Sequence, residues 1–189
     1  VRTAIATNKV DTEGLDPDDI EREVGRQLMV ERFFEDYDRG VDHLLIASRR
    51  DDVHALNKAV QSELIKRGVI SATGPSAKAA DVRSGSVAGW YNLHADDRVL
   101  IMQNVSGTAV KNGMTGKVVR INKDGSVRLN LPTGPDGEMR GHTLTAKQLS
   151  EGYVALGNAT TAHKSQGMTT EAATALLDSL AGTGGLPAS

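Results

Sequence analysis

Apolar positions along this chain recur first with a helical period and later in short alternating runs, and the change divides the sequence. Asp16-Pro17-Asp18-Asp19 is a helix start. Asp16 supplies a capping carboxylate, Pro17 fits the first turn, and the acids face the positive end of the helix dipole. Ile20, Val24 and Leu28 follow at four-residue spacing and Phe34 broadens the stripe, so a helix is predicted over 17–38 with Gly40 as its stop. Residues 43–48 (HLLIAS) form a short apolar run that predicts a buried strand. Arg49-Arg50-Asp51-Asp52 then leads into a second helix, with Val53, Leu56, Val60 and Leu64 on one face and Gly68 at its end. The order helix, strand, helix predicts an open α/β layer.

The middle of the chain changes character. Residues 71–89 are rich in Ser, Ala and Gly, and a connecting loop is expected over 71–95. From Asp96 the pattern is one of short strands at 98–103, 116–121 and 127–131. Asn112-Gly113, Asp124-Gly125 and Gly134-Pro135 punctuate them as turns, which predicts a small antiparallel barrel or meander over 96–150. Residues 144–149 (LTAKQL) are too short to assign. Residues 174–177 (TALL) predict a further strand of the α/β layer, so 151–180 is expected to return to it. The polar residues 1–15 read as a loop, and the Gly, Pro and Ser of 181–189 as a flexible tail.

Composition narrows the function. The 189 residues are 39% hydrophobic and 24% charged, ordinary for a globular protein long enough to bury a core. Aromatic residues make up 3%, so the core is aliphatic and few rings besides Trp90, Tyr91 and Tyr153 can stack on bases. Cysteine is absent, which excludes disulfides and thiolate metal sites. No apolar run has bilayer length and no secretory leader opens the sequence, so no membrane partner and a cytoplasmic location are expected. The net charge of −2 counts mildly against a dedicated nucleic-acid binder. Acids crowd residues 11–38, however, while Arg and Lys outnumber acids over 98–148, which leaves room for a local phosphate site.

The densest chemistry lies in residues 159–169, Ala-Thr-Thr-Ala-His-Lys-Ser-Gln-Gly-Met-Thr. If residues 163–166 open a helix after a strand, their backbone N–H groups point at whatever sits beyond its end, and phosphate is the usual occupant. Thr160 or Thr161 can donate to a backbone oxygen, His163 can bond a phosphate or lie against a sugar, and Lys164 and Ser165 add a cation and a hydroxyl. The same residues also suit an ordinary strand-to-helix turn with capping hydroxyls.

This run resembles motif V of superfamily-one DNA helicases, most closely the RecD-like branch that includes the relaxase–helicases of conjugative plasmids. Two other segments are similar to that family. Residues 44–53 with Leu56-Asn57 resemble motif IV, where a strand delivers polar residues to the rim of a nucleotide cleft; Arg49 or Arg50 would then approach a phosphate, unless they pair with Asp51 or Asp52. Asp97-Arg98-Val99 followed by Asn104 and by Asn112-Gly113 resembles the entry to the family's inserted barrel, and the loop around Asn104 and Asn112 would face the DNA strand. The sequence departs from the family at Asn158, where relatives carry Tyr, and at Met114, where they often carry Asp.

The resemblance covers roughly residues 40–178 and implies an α/β fold: part of a RecA-like parallel-sheet domain, the second of two motor domains, with a small antiparallel β-barrel inserted. It implies DNA contacts at Thr160, Thr161, His163, Lys164, Ser165, Asn104 and Asn112, and nucleotide-cleft positions at Arg49, Arg50, Gln166 and Gly167. Its partners would be single-stranded DNA and a first motor domain, and the complete protein would use ATP and Mg2+. Neither a phosphate loop nor an apolar strand ending in paired acids is recognisable, nor is the family's arginine-finger segment, so the chain alone is expected to hold no catalytic residue, no metal and no ATP turnover. Gly113-Met114-Thr115-Gly116-Lys117-Val118 mimics a phosphate loop but has two residues between its glycines, not four, and Val after the lysine. The expectation is a truncated motor piece. Its rivals are a non-catalytic DNA-binding or scaffolding module with a degenerate half-fold, and a product with no function of its own.

Overall fold

The computed structural model describes residues 16–166 and 168–176. The expectations for residues 1–15, for Gly167 and for the tail therefore lie outside the described residues. Helix α1 (Pro17–Tyr37) starts as predicted, with Asp16 Oδ1 accepting from the Asp19 N–H at 2.9 Å. Strand β1 (His43–Ala47) and helix α2 (Arg50–Lys66) follow. Then come β2 (Ala77–Arg83), β3 (Ser86–Leu93), β4 (Arg98–Ile101), β5 (Thr115–Ile121) and β6 (Val127–Pro132). After a short 3-10 turn the chain continues through β7 (Met139–Leu144), α3 (Ala146–Ser150), β8 (Val154–Leu156), β9 (Ala159–Thr161), α4 (Ala162–Ser165) and β10 (Ala172–Leu176).

Two apolar cores divide these elements. The first lies in the α/β layer, where β1 is the centre of a three-stranded parallel sheet in the order β10-β1-β9. Leu45, Ala47 and Ala159 of the sheet meet Leu56, Val60 and Leu64 of α2 and Met29, Phe33 and Phe34 of α1. The face of α2 is the one its spacing predicts. That of α1 holds at Phe34 but not before it: Val24 and Leu28 are 41% and 59% exposed, while Met29 and Phe33 are buried beside Phe34. Gly25 explains the choice of face, because a side chain there would stand 2.9 Å from Leu176 of β10, so the helix packs on the sheet through its glycine side. The two helices are tied by the buried Asp52, which takes Arg26 Nη1 at 2.8 Å and Arg22 Nη1 at 3.3 Å.

The second core belongs to an antiparallel unit. Its strands run β7-β6-β5-β4-β8 in one open sheet, and among the described residues no pairing joins the edges β7 and β8 into a barrel. Of the two expected forms the barrel is corrected and the meander is found, β4 to β7 running consecutively in a five-stranded sheet whose remaining strand, β8, lies beyond residue 150. The expected connecting loop is also corrected: it holds the hairpin β2–β3, which covers the sheet with Ala77, Ala79, Tyr91 and Leu93. Small Ala and Gly residues hid these strands, because they carry little strand propensity although they pack closely. From β8 the chain crosses to the parallel sheet at Gly157, where an added Cβ would lie 2.7 Å from the backbone of Val99. That crossing brings β9 alongside β1.

Candidate nucleic-acid interface at the edge of the parallel sheet

Parallel strands end on the same side, and open α/β sheets bind ligands beyond their carboxyl ends. Ala47 pairs with Thr161 in one direction and with Leu176 in the other. The segments Ser48-Arg49-Arg50 and Ala162-His163-Lys164 therefore leave the sheet side by side. The two motifs that sequence spacing separates by more than a hundred positions become neighbours here.

Arg50 and Lys164 line one cavity of about 250 Å3. Its other walls come from Asp81 and Val82 of β2, the turn at Ser84 and Gly85, Met102 and Gln103 after β4, and Gly152. Lys164 is partly buried, with Nζ 3.7 Å from Met102 Sδ, a poor substitute for water or an anion. Its ammonium is held below the ordinary lysine range, first by burial and then by the nearby Arg50 charge. Arg49 and Arg50 are exposed. The acids beside them are engaged elsewhere, Asp51 with Arg83 and Asp52 with Arg22 and Arg26. Among the described residues neither Arg49 nor Arg50 makes a side-chain hydrogen bond or a close ion pair, although the Arg49 charge helps to hold Asp51 low.

The other candidates separate. Thr161 is the cap residue of α4 but makes no side-chain cap bond. His163 and Gln166 are exposed, and Ser165 Oγ donates back to Ala162 O at 2.8 Å. Thr160 is 2% exposed in the middle of β9, so a surface contact through its hydroxyl is corrected to a sheet position. Helix α4 has four residues, which corrects the expectation that the run opens a helix able to hold phosphate at its N-terminus. Asn104 and Asn112 meet each other, Asn104 Oδ1 accepting the Asn112 N–H at 2.9 Å, and neither lines the cavity. Gly167 lies outside the described residues.

Sequence reasoning missed the hairpin wall and what holds it. Arg83 bonds Asp81 and Asp51 and reaches Arg50 O at 3.4 Å, and its two carboxylates raise the affinity of the guanidinium for its proton. His54 Nδ1 lies 3.2 Å from Asp81 Oδ2 and its ring packs on Tyr91 at 4.5 Å, with burial lowering its proton affinity. The buried Asn57 of α2 bonds the start of β9. The signal for it was a polar residue inside the apolar Leu56–Val60 stripe. Among the described residues no three His, Cys, Asp or Glu side chains converge as a metal site, and no helix is long and apolar enough to cross a membrane.

Comparison with known proteins places these features in context. No protein-family model matches the chain. It is 33% identical over 161 residues to the conjugal transfer protein TraA of Agrobacterium fabrum, covering 79% of this chain and 13% of that protein. It is 32% identical over 148 residues to a probable conjugal transfer protein TraA of Sinorhizobium fredii, covering 77% of this chain and 12% of that one. The chain thus spans about an eighth of the curated relatives' length and is homologous to a segment of TraA. Among solved structures, Bacteroides Pif1 helicase in complex with ADP-AlF3 and single-stranded DNA aligns at TM-score 0.46 and 18% identity, covering 70% of this chain and 34% of that one. A structure of two Pif1 helicases coordinating at forked duplex DNA aligns at 0.47 and 17%, covering 85% and 41%. These likenesses are distant ones.

Proposed function

We propose that this chain is part of the second motor domain of an ATP-driven DNA helicase or translocase serving conjugative DNA transfer in the cytoplasm. Its parallel layer is the RecA-like portion and its antiparallel unit an insertion. Its share of the work is to grip the backbone of single-stranded DNA and to close the nucleotide cleft of a first motor domain. The observation that carries this reading is the pairing of β1 with β9, which brings two exposed arginines and a partly buried lysine to one sheet edge. The homology to TraA supports the conjugative setting.

The chemistry of the edge suits phosphate. Lys164 presents a point charge in a partly dry pocket, where its attraction to an anion is stronger than in water. Arg49 and Arg50 present forks that match phosphate oxygens. Their position at the sheet edge suits a nucleotide's phosphates reached across a domain gap, and Gln166 and Gly167 follow directly after α4 in the sequence. Bound ATP with Mg2+ would supply the phosphoryl-transfer energy. The described residues offer cations for its phosphates and no carboxylate cluster for its magnesium, so no step is assigned to the metal.

Fluorescence anisotropy of a labelled single-stranded oligonucleotide across a salt series tests the reading. Each phosphate contact contributes a slope of about −0.7 in log K against log salt. Replacing Lys164 by Ala is expected to remove one such contact, and a flat salt response of the unaltered chain would overturn the proposal. An ATPase assay separates motor piece from independent enzyme: the expected rate is background, whereas turnover that disappears in Lys117→Ala would restore the phosphate-loop reading of residues 113–118. A DNA-binding module that never meets a motor domain would bind equally well. The discriminating arm is addition of a first motor domain, which is expected to raise ATP turnover only if this chain completes its cleft.

A further inference from the structure

The carboxamide of Asn57 is 0% exposed in the α/β core. Its Oδ1 accepts two backbone N–H groups, from Asn158 and from Ala159, each at 2.9 Å. Its Nδ2 donates to Ala159 O at 2.9 Å. One side chain thus holds both polar groups of the residue at which β9 begins, and fills the acceptor capacity of its own oxygen. On the other side of the same stretch, Asn158 O accepts the Leu45 N–H of β1 at 3.0 Å.

This grip has a geometric consequence. β9 is three residues long and, among the described residues, lies at the edge of its sheet, paired with β1 alone. A short edge strand is weakly held in register, and a slip of one residue turns every side chain to the opposite face. Asn57 stands seven positions beyond Arg50 on α2, two helical turns and about 10 Å along the same side of the helix. Lys164 follows five positions after Ala159, through the four-residue α4. The three hydrogen bonds therefore close a loop between the helix that carries Arg50 and the strand that delivers Lys164. The amide also has a stability role, because an apolar side chain of similar size would leave the buried N–H groups of Asn158 and Ala159 without their acceptor. Stability and register therefore have to be separated by experiment.

We infer that Asn57 is a positioning residue that fixes the register of β9 against α2, and so sets the separation of the Arg50 and Lys164 cations that face a phosphate chain. The inference rests on the proposed phosphate-binding reading of that edge. It adds a coupling: displacement of the strand by a ligand at Lys164 is transmitted through the amide to the helix of Arg50, and displacement of the helix returns to the strand.

The test is the salt dependence of single-strand binding by the whole chain with Asn57→Leu, alongside its thermal melting. The variant removes no surface charge. Loss of register is expected to make the slope shallower by about one contact, about 0.7, although every cation is still present. A role in stability alone would lower the melting temperature and leave the slope of the folded protein unchanged, which would overturn the inference. Should Asn57→Leu fail to fold, Arg50→Ala, Lys164→Ala and the double variant decide on the native core. Cations held at a fixed separation on one phosphate chain are expected to be non-additive by threefold or more in affinity, and strict additivity would overturn the inference. A flat salt slope in the unaltered chain would instead defeat the phosphate reading itself, so the two failures are distinct.

Discussion

Lys164 concentrates the chemistry of the edge in one side chain. Burial, and after it the Arg50 charge, hold its ammonium below the ordinary lysine value of 10.5. A phosphate favours the charged form and pulls the other way. DNA affinity should therefore fall as pH rises through the depressed pKa, beginning below the range of an exposed lysine. Anisotropy titrations at rising alkaline pH check this: Lys164→Arg, which stays charged, is expected to abolish the fall, and Arg50→Ala to move it to higher pH. At this scale the sequence was partly legible. Arg50 and Lys164 stand in recognisable motifs, and a cation keeps its chemistry wherever it sits. Thr160 was misplaced because nothing in a run of hydroxyls tells which one faces into the sheet, and that choice is made by pairing with β1. Asn57 was visible as a letter but not as a role, since its partners lie a hundred positions away.

Among the elements, the hairpin β2–β3 departs most from expectation, and it forms a wall of the cavity. It is pressed against the turn after α3. Gly152 there has φ +75°, and a Cβ would stand 2.7 Å from Val82 Cγ2. Gly152→Ala has to strain the backbone and push the hairpin outward, and is expected to destabilise the chain by about 1–3 kcal/mol in chemical denaturation. Helix α3 is held by a capping box, Thr145 Oγ1 accepting the Gln148 N–H at 3.2 Å while Gln148 Oε1 accepts the Thr145 N–H at 2.9 Å. Thr145→Ala is expected to cost about 1 kcal/mol, read in the same denaturation series. That box is a four-residue pattern present in the sequence, so α3 was predictable; its short apolar content concealed it. Long elements with strong periodicity, α2 above all, were legible because one face must be buried whatever the partner. The buried face of α1 was not, because Gly25 selects it by close approach to a strand more than a hundred residues later.

For the whole molecule the question is how two separate cores act as one body. Gln61 of α2 joins them: its Nε2 donates to Asn92 O of the hairpin and to Asp97 Oδ2 before β4, each at 2.7 Å. Asp97 also accepts the His94 N–H at 2.7 Å, and among the described residues its buried Oδ1 has no hydrogen-bond partner. Burial raises its carboxyl to about 6, against the opposing pull of the His94 and Gln61 hydrogen bonds. Since the ordinary value is 3.8, the folded chain takes up this proton before the unfolded chain does as pH falls. The contribution to stability is then fully present below pH 3.8 and is lost as pH rises through about 6. The shift corresponds to at most about 3 kcal/mol at the joint. Other carboxylates, Asp51 and Asp124 among them, are held low by their hydrogen bonds and act in the opposite direction, so the net profile of the native chain does not isolate Asp97. The difference from Asp97→Asn does. Urea midpoints measured from pH 4 to 7 should fall in the native chain relative to the variant between pH 4 and about 6, and the difference should level off above about 6. Curves that stay parallel would mean that the joint between the α/β layer and the antiparallel unit carries its charge without cost, and that water reaches Asp97 Oδ1.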